Sequence, residues 1–545
     1  MKNKTYLTII FLIIIFGLWL RAVGLEQSPP SLGFDEAALG YNAYSLLKTG
    51  RDEYGNWLPL SLRSFNDFKP ALYSYLTIPF IYIWGLNATA VRMTSAVAGT
   101  ASLIFLYLLL KKYIKNKWLL VFIFAVLSVQ PYRLHFSRSA FETNLSAMFF
   151  CGGAYFLLTT KSRLRQILSV LFFGLAAYSY HSARLSAPFL ILLWAFDPII
   201  RLQANIKFDW RKLLPLIGLV VICIPIFVMN NSSLLLTRFR QENVFNRFYP
   251  YAPKEILSPV SSIYYFGGII SGHIFSYLSP INLNFRIYDW VKMSPQFIPG
   301  MGMLGWIEGI VFFVGFVFVV GNIFKSFKYR FLIYWMVAGI APAAATWTWY
   351  HPLRSLNIFL AIEIIVALGI WQILIFINKI IKINLIKNIL LLSIGLIFLV
   401  TIIFTINNEL LYSPVENNGE YQPGGYKEGM SYFALISDKY SRVIIDTPHA
   451  QGFIFFLFYT KFDPATLHKY SDLRPKPGVE GNLNFDFDKY VFRKVDWPQD
   501  SKLANTLFWT RTDITDEEVA RVPGAKINKR VWNALFETAS IITTE

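Results

Sequence analysis

The sequence predicts a mainly α protein: a polytopic transmembrane helical bundle of about eleven spans. Interfacial or re-entrant helices and a small C-terminal extracytoplasmic α/β domain accompany the bundle. Three observations predict this. Of 545 residues, 55% are hydrophobic and only 15% are charged, whereas soluble domains carry about 25% charge. Lys and Arg concentrate in short loops between apolar runs. From Tyr412 onward the charge balance changes, with 16 basic and 18 acidic residues against 35 and 15 in the first 411.

These numbers exclude one large water-soluble globule. The 17% aromatic content fits, since Trp and Tyr collect at membrane interfaces. The two cysteines, Cys151 and Cys223, stand inside apolar runs, which excludes a disulfide scaffold and a Cys-based zinc site. The net charge of +18 lies beside apolar segments rather than in stripes on a polar domain, so no nucleic-acid partner is expected.

The expected spans are 5–25, 88–110, 118–132, 143–160, 166–180, 185–200, 213–229, 304–324, 331–346, 355–378 and 388–408. Lys2 and Lys4 precede the first. Lys111, Lys112, Lys115 and Lys117 follow the second, and Lys161, Arg163 and Arg165 the fourth. Arg201, Lys207, Arg211 and Lys212 follow the sixth, Lys325, Lys328 and Arg330 the eighth, and Lys379, Lys382 and Lys387 the tenth. By the positive-inside rule all these segments face the cytoplasm. The N-terminus is then inside and the C-terminus outside, in a multi-pass protein of the inner or plasma membrane. The first run is long and ends in Arg21, so it reads as an uncleaved span rather than a signal peptide.

Residues 71–85 hold Pro79, and 261–279 are rich in Gly, Ser and Tyr. Counting only one of them as a span reverses every later loop, so both are expected to lie on or dip into the outer surface. The long outer loops 26–87 and 230–303 contain them. The domains are therefore 1–411 in the membrane and 412–545 outside. The tail opens with a Pro/Gly/Asn-rich linker. Strands are predicted at 442–446, 490–495, 507–512 and 526–532, and a buried helix at 450–461.

Candidate site residues stand on the outer side. Asp35 and Glu36 follow the first span and open a helix, where a carboxylate is favoured by the dipole. Capping needs one acid, and adjacent helical residues point about 100° apart, so one can cap while the other faces a cavity. Lys69, in FNDFKPALYSY, either snorkels or meets a phosphate as a point charge. Arg138 and Glu142 are four apart, and the bland alternative is a helix salt bridge. His181 with Arg184, and His351 with Arg354, are three apart, on one helix face. Chemistry that uses such parts is sugar transfer from a lipid-linked donor: cations stabilise the departing phosphate, and one carboxylate takes the acceptor's proton in an inverting displacement. No GxGxxG or P-loop motif is present.

The early Asp-Glu pair, the Lys-Pro at 69–70 and the later H-P-x-R at 351–354 resemble the GT-C membrane glycosyltransferases. The similarity is to the branch of dolichyl-phosphate-mannose protein mannosyltransferases and aminoarabinose transferases. NATAVRMTSAVAGTASLIFLYLLLKK (87–112), entered by Arg92, resembles that family's second span. The resemblance covers about residues 5–408 and implies an outer-face site, a polyprenyl-phosphate-linked sugar donor, an extracytoplasmic acceptor (glycan, lipid or protein) and inversion. It carries the first-loop acid onto Asp35 or Glu36, a second acid onto Glu142 and the donor-phosphate lysine onto Lys69. Arg138, Arg184, His351 and Arg354 are further phosphate-binding candidates. No spacing demands a cofactor, and metal dependence stays open: a divalent cation, Mg²⁺ or Mn²⁺, could be held if Asp35, Glu36 and Glu142 converge. The competing readings are a flippase or transporter of a lipid-linked substrate, which calls for charges at mid-span and a repeat, and a non-catalytic membrane subunit.

Overall fold

The computed structural model describes residues 3–64, 67–197, 209–229, 243–245, 259–284, 298, 300–412, 425–446, 452–471, 485–510, 514–532 and 537–545. Residues 413–424 of the linker, Arg201, Lys207 and most of the loop 230–303 lie outside them.

In chain order the described elements begin with helices α1 (Asn3–Ala22) and α2 (Phe34–Thr49). A hairpin of β1 (Ser61–Ser64) and β2 (Asp67–Pro70) follows, then α3 (Leu72–Trp84), α4 (Ala88–Tyr113), α5 (Lys117–Ser128), α6 (Pro131–Arg138), α7 (Glu142–Leu158), α8 (Arg163–Ser179) and α9 (Ala183–Ala195). Next come α10 (Leu214–Met229), α11 (Pro259–Leu278), α12 (Glu308–Val320), α13 (Phe327–Ala344), α14 (Phe359–Ile380) and α15 (Asn384–Asn407). Each of the eleven expected segments overlaps one of these helices, and the protein is mainly α with a small sheet towards the C-terminus. By length and composition four stretches suffice to cross a membrane: Lys4–Ala22, Ala88–Tyr113, Pro352–Ile380 and Asn384–Tyr412. A fifth is added if α5 and α6 are one bent span. The bend between those two is 48°, and its cause is local. Pro131 has no N–H to continue the ladder, and the pre-proline residue Gln130 is forced to ψ 144°.

The chain divides into two compact units. The first comprises Met1–Val23, Ser95–Lys292 and Gln296–Glu409, and the second Gly24–Thr94, Met293–Pro295 and Leu410–Glu545. The first unit has an aromatic and aliphatic core in which Phe150, Phe173, Trp335 and Ile365 are fully buried. Where α12 crosses α14, a side chain has no room. A Cβ on Gly315 would lie 1.9 Å from the Ile365 carbonyl oxygen, and one on Gly369 2.1 Å from that of Val311. Small residues bring the two backbones together, as helix packing in lipid requires. Asp197 is held by Arg330 at 2.6 and 3.0 Å and by the Tyr334 hydroxyl at 3.0 Å.

The second unit adds α16 (Tyr426–Ser437), β3 (Arg442–Ile445), α17 (Gly452–Thr460), β4 (Phe485–Phe487), β5 (Tyr490–Phe492), β6 (Thr506–Thr510), β7 (Lys526–Trp532) and β8 (Glu537–Thr544). Their sheet order is β4-β5-β3-β6-β8-β7, with β3 parallel to β5 and β6 and the other pairs antiparallel. The central strands are buried on both faces, which is why RVIID and LFWT read as continuous apolar runs. The edge strand β7 carries Lys526, Lys529 and Arg530 and two irregularities of register, devices that discourage a further strand from adding. The helix hairpin α2–α3 and the first residues of α4 belong to this unit too. Ser74 donates to the Leu39 carbonyl and Tyr73 to that of Val91, each at 2.9 Å. A Cβ on Gly40 would meet Val91 at 2.5 Å and Phe458 at 2.7 Å.

Candidate active site

The acid pair opens α2, as its sequence implies, and the two carboxylates part company there. Glu36 is the capping acid: its Oε2 accepts from the Gly33 N–H at 2.9 Å. Both its oxygens also accept from Arg92, Nε to Oε1 and Nη2 to Oε2, each at 2.9 Å. This is a bidentate fork. Arg92 gives its three remaining N–H groups to the carbonyls of Leu25, Pro29 and Ser31 at 2.8, 2.8 and 2.6 Å. All five guanidinium donors are thereby used, which accounts for a fully buried arginine. Tyr459 stands beside this pair. Burial pushes its phenol up to about 12 against opposing hydrogen bonds from Ser31 and Leu32, so it remains neutral at physiological pH.

Asp35 is turned elsewhere. Its Oδ1 forms an ion pair with Lys69 Nζ. Lys69 lies on β2, paired with Leu62 across the hairpin, and the strand holds the ammonium in place. The lysine side chain is 8% exposed and the aspartate 33%. The carboxylate is therefore the accessible partner, and the cation is shielded behind it. The ion pair and the buried fork thus occupy successive residues in the first turn of α2.

The other candidates belong to the first unit. Arg138 ends α6 and Glu142 begins α7, with extended Ser139 between them (ψ 154°). They do not share a helix, because proline-initiated α6 terminates first, so the expectation of a common helix is corrected. Arg138 is buried and donates to the carbonyls of Leu20 and Val23 at 2.7 and 2.8 Å, which would otherwise be unsatisfied near the end of α1. Its Nε lies 3.8 Å from Glu409, and that glutamate also meets His135 at 3.0 Å. Glu142 is buried at the start of α7. Arg184 donates to His181 Nδ1 at 2.9 Å and to the Ala177 carbonyl at 3.1 Å, so the HxxR spacing does bring this pair together. The His351 N–H donates to the Tyr277 hydroxyl at 3.0 Å, and Arg354 donates to Thr348 Oγ1 at 3.1 Å.

Sequence reasoning passed over Arg133, two residues before His135 in a segment read as a loop. It forms a fully buried ion pair with Glu363 of α14, Nε to Oε1 at 2.8 Å. Arg92 was named as the entry to a span but not as the partner of Glu36; the only available signal was a lone arginine in an apolar helix. Among the described residues no group of three or more His, Cys, Asp or Glu is placed to hold a metal ion. Both oxygens of Glu36 already accept from Arg92, so Glu36 does not fit a divalent-cation ligand set.

No family model matches the sequence, and no curated protein matches it. Solved structures do. The crystal structure of ArnT from Cupriavidus metallidurans bound to undecaprenyl phosphate superposes with a TM-score of 0.58, at 12% identity, over 97% of each chain. Archaeal oligosaccharyltransferase AglB from Archaeoglobus fulgidus, in complex with an inhibitory peptide and a dolichol-phosphate, gives a TM-score of 0.50 at 11% identity. That match covers 84% of this chain and 64% of AglB. Both are GT-C membrane glycosyltransferases, and the fold described above is of that polytopic kind.

Proposed function

We propose that this chain is an inverting membrane glycosyltransferase that moves a sugar from a polyprenyl-phosphate donor to an acceptor outside the cytoplasm. The observation that carries the proposal is the Asp35–Lys69 pair, an accessible carboxylate held against a shielded ammonium at a helix N-terminus. The likeness in fold to ArnT, whose structure holds undecaprenyl phosphate, supports the donor class.

The chemistry needs little more. Lys69 exchanges its carboxylate for the donor phosphate and stabilises the charge that develops there. Asp35, released from the ammonium, accepts the proton of the acceptor hydroxyl as that oxygen attacks C1. The bond from C1 to the phosphate oxygen breaks, polyprenyl phosphate leaves with the electron pair, and the anomeric centre inverts. Glu36 positions: its fork with Arg92 fixes the first turn of α2 and so aims Asp35. Glu142 as a second acid, and His351 and Arg354 as phosphate contacts, belong to the same proposal. Arg138 and Arg184 we assign to positioning, because their donors serve carbonyls of neighbouring helices. No step is routed through a metal ion.

A carrier function would be favoured by mobile charges at mid-span. Glu363 is the acid there, but it is fully buried and locked to Arg133, so that reading gains nothing from it. The test is direct. Purified protein in nanodiscs is offered a sugar-charged polyprenyl phosphate and an acceptor mixture. Release of free polyprenyl phosphate with an inverted product anomer is expected; movement of the intact lipid-linked sugar without cleavage would contradict the proposal.

A further inference from the structure

We infer that Tyr459, on α17, is a positioning residue for Asp35: it fastens the turn that leads into α2 and so fixes where the candidate base points. The inference rests on the reading of Asp35 as that base. Through its hydroxyl Tyr459 meets the Ser31 side chain and the Leu32 backbone. Leu32 stands three residues before Asp35 and directly precedes Gly33, the N-cap of α2.

The reason α17 reaches this turn lies in its sequence. GFIFFLFYT is apolar around the whole helix, and such a helix has to be covered on every side. The sheet covers one side, with Phe453 packed edge-on against Phe492 at 5.0 Å between ring centroids and Phe456 against Tyr490 at 4.8 Å. α16 covers a second through Tyr426, 5.3 Å from Phe455. α2 covers a third: Gly40 leaves the room that Phe458 fills, since a Cβ there would lie 2.7 Å from that ring. The C-terminal segment and the first outer loop therefore share one core. Polar ties reinforce it. The Tyr41 hydroxyl donates to the Phe462 carbonyl at 2.9 Å, Lys427 Nζ lies 2.7 Å from Glu26, and His468 Nε2 lies 2.7 Å from the Asp52 carbonyl oxygen.

Arg92 and Tyr459 hold the turn between them. Arg92 takes the carbonyls of Leu25, Pro29 and Ser31, and Tyr459 takes the Ser31 side chain and the Leu32 backbone. From Ser31 to Ala43 every residue except Phe34 and Asp35 is buried. The Asp35 carboxylate thus projects from a backbone fastened on both sides of it, by Tyr459 before and by α17 packed on Gly40 after. A general base acts only where it is aimed, and a misplacement of about 1 Å costs about 100-fold in rate. Tyr459 itself touches no reacting atom in this scheme and acts through Leu32 and Gly33.

The Tyr459→Phe variant keeps the ring and its packing and removes the hydroxyl. Full-length wild type, Tyr459→Phe and Asp35→Asn are compared in nanodiscs by two measurements: amide hydrogen exchange of the peptide 31–40, and initial rates of polyprenyl phosphate release against donor concentration. In Tyr459→Phe, exchange in 31–40 should quicken about fivefold while exchange in β3 and β6 stays at the wild-type rate. Its kcat should fall at least about tenfold with donor KM unchanged. Unchanged exchange in 31–40 overturns the inference, as does a wild-type kcat despite faster exchange. Faster exchange through β3 and β6 as well also overturns it, because it marks the hydroxyl as a support of the C-terminal sheet. Full activity in Asp35→Asn is a separate failure: it removes the base, and the positioning role with it, while the exchange data still report whether Tyr459 holds the turn.

Discussion

Replacing Arg92 by methionine removes a guanidinium whose five N–H groups all have partners. Two serve Glu36 and three serve the carbonyls of Leu25, Pro29 and Ser31. Methionine fills the space without supplying a donor. Glu36 keeps one described bond, from the Gly33 N–H, and becomes a buried charge without its counter-ion. Breaking a buried pair in this way costs about 3–5 kcal/mol, a large part of the roughly 5–15 kcal/mol that holds a typical domain. Glu36→Gln keeps the shape but turns an amide N–H₂ towards the guanidinium, with a loss of similar sign. Because both act on one interaction, the Arg92→Met/Glu36→Gln double variant should be more stable than the worse single one by about 1–3 kcal/mol. Thermal inactivation of the monomeric peak in detergent, followed for all four proteins under one condition, reads the differences. An Arg92→Met protein within about 0.5 kcal/mol of wild type, or a double variant no better than either single one, refutes the reasoning.

Three further outcomes follow from the same geometry. Lys69→Gln should raise the donor KM more than it lowers kcat at saturating donor, and Lys69→Arg should restore part of the loss, as initial rates against donor concentration will show. Gly315→Val drives a side chain into the Ile365 carbonyl and the Gly369 backbone, so folded yield after solubilisation should collapse, whereas Gly395→Val, with open space around it, should express normally. Asp463 caps the helix Pro464–His468, and its bonds to Thr466 hold its carboxyl below the usual aspartate range. Its contribution is therefore present above the unfolded pKa of about 4 and is lost as pH falls through the lower folded value. The destabilisation by Asp463→Ala, about 1 kcal/mol at neutral pH, should vanish in acid, and melting temperatures from neutral pH down to below pH 3 check this.

The reach of the sequence differs from element to element. Apolar run length and the clustering of Lys and Arg locate the helices, because a bilayer imposes the same demand on every span. The strands at 442–446 and 507–512 are legible because both faces are buried. By contrast, β8 (ETASIITT) mixes Thr, Ser and Ile without alternation, since a strand in the middle of the sheet tolerates any small or branched side chain. It escapes notice for that reason, as does the three-residue β4. The segment PYRLHFSR reads as a loop because it is polar; it is a buried helix because Arg133 finds Glu363 and Arg138 finds helix-end carbonyls. Those partners are hundreds of residues away or in another helix, and no local pattern points to them. Asp35 and Lys69 stood out as charged groups in a segment expected to be an outer loop, although the same residues also read as a helix cap and a snorkelling lysine.

The central claim is that Asp35 does the chemistry while Glu36 holds it in place. The decisive measurement is polyprenyl phosphate release by purified wild-type, Asp35→Asn and Glu36→Gln proteins, with the thermal midpoint of each recorded on the same sample. Asp35 is one-third exposed while Lys69 is shielded, so removing the carboxylate costs less stability than breaking a fully buried pair, about 3–5 kcal/mol, and a general base supplies about 10²- to 10⁴-fold in rate. Asp35→Asn should therefore melt closer to wild type than Glu36→Gln does and lose at least about 100-fold in rate, whereas Glu36→Gln should lose stability and activity together. An Asp35→Asn protein that turns over at the wild-type rate contradicts the account.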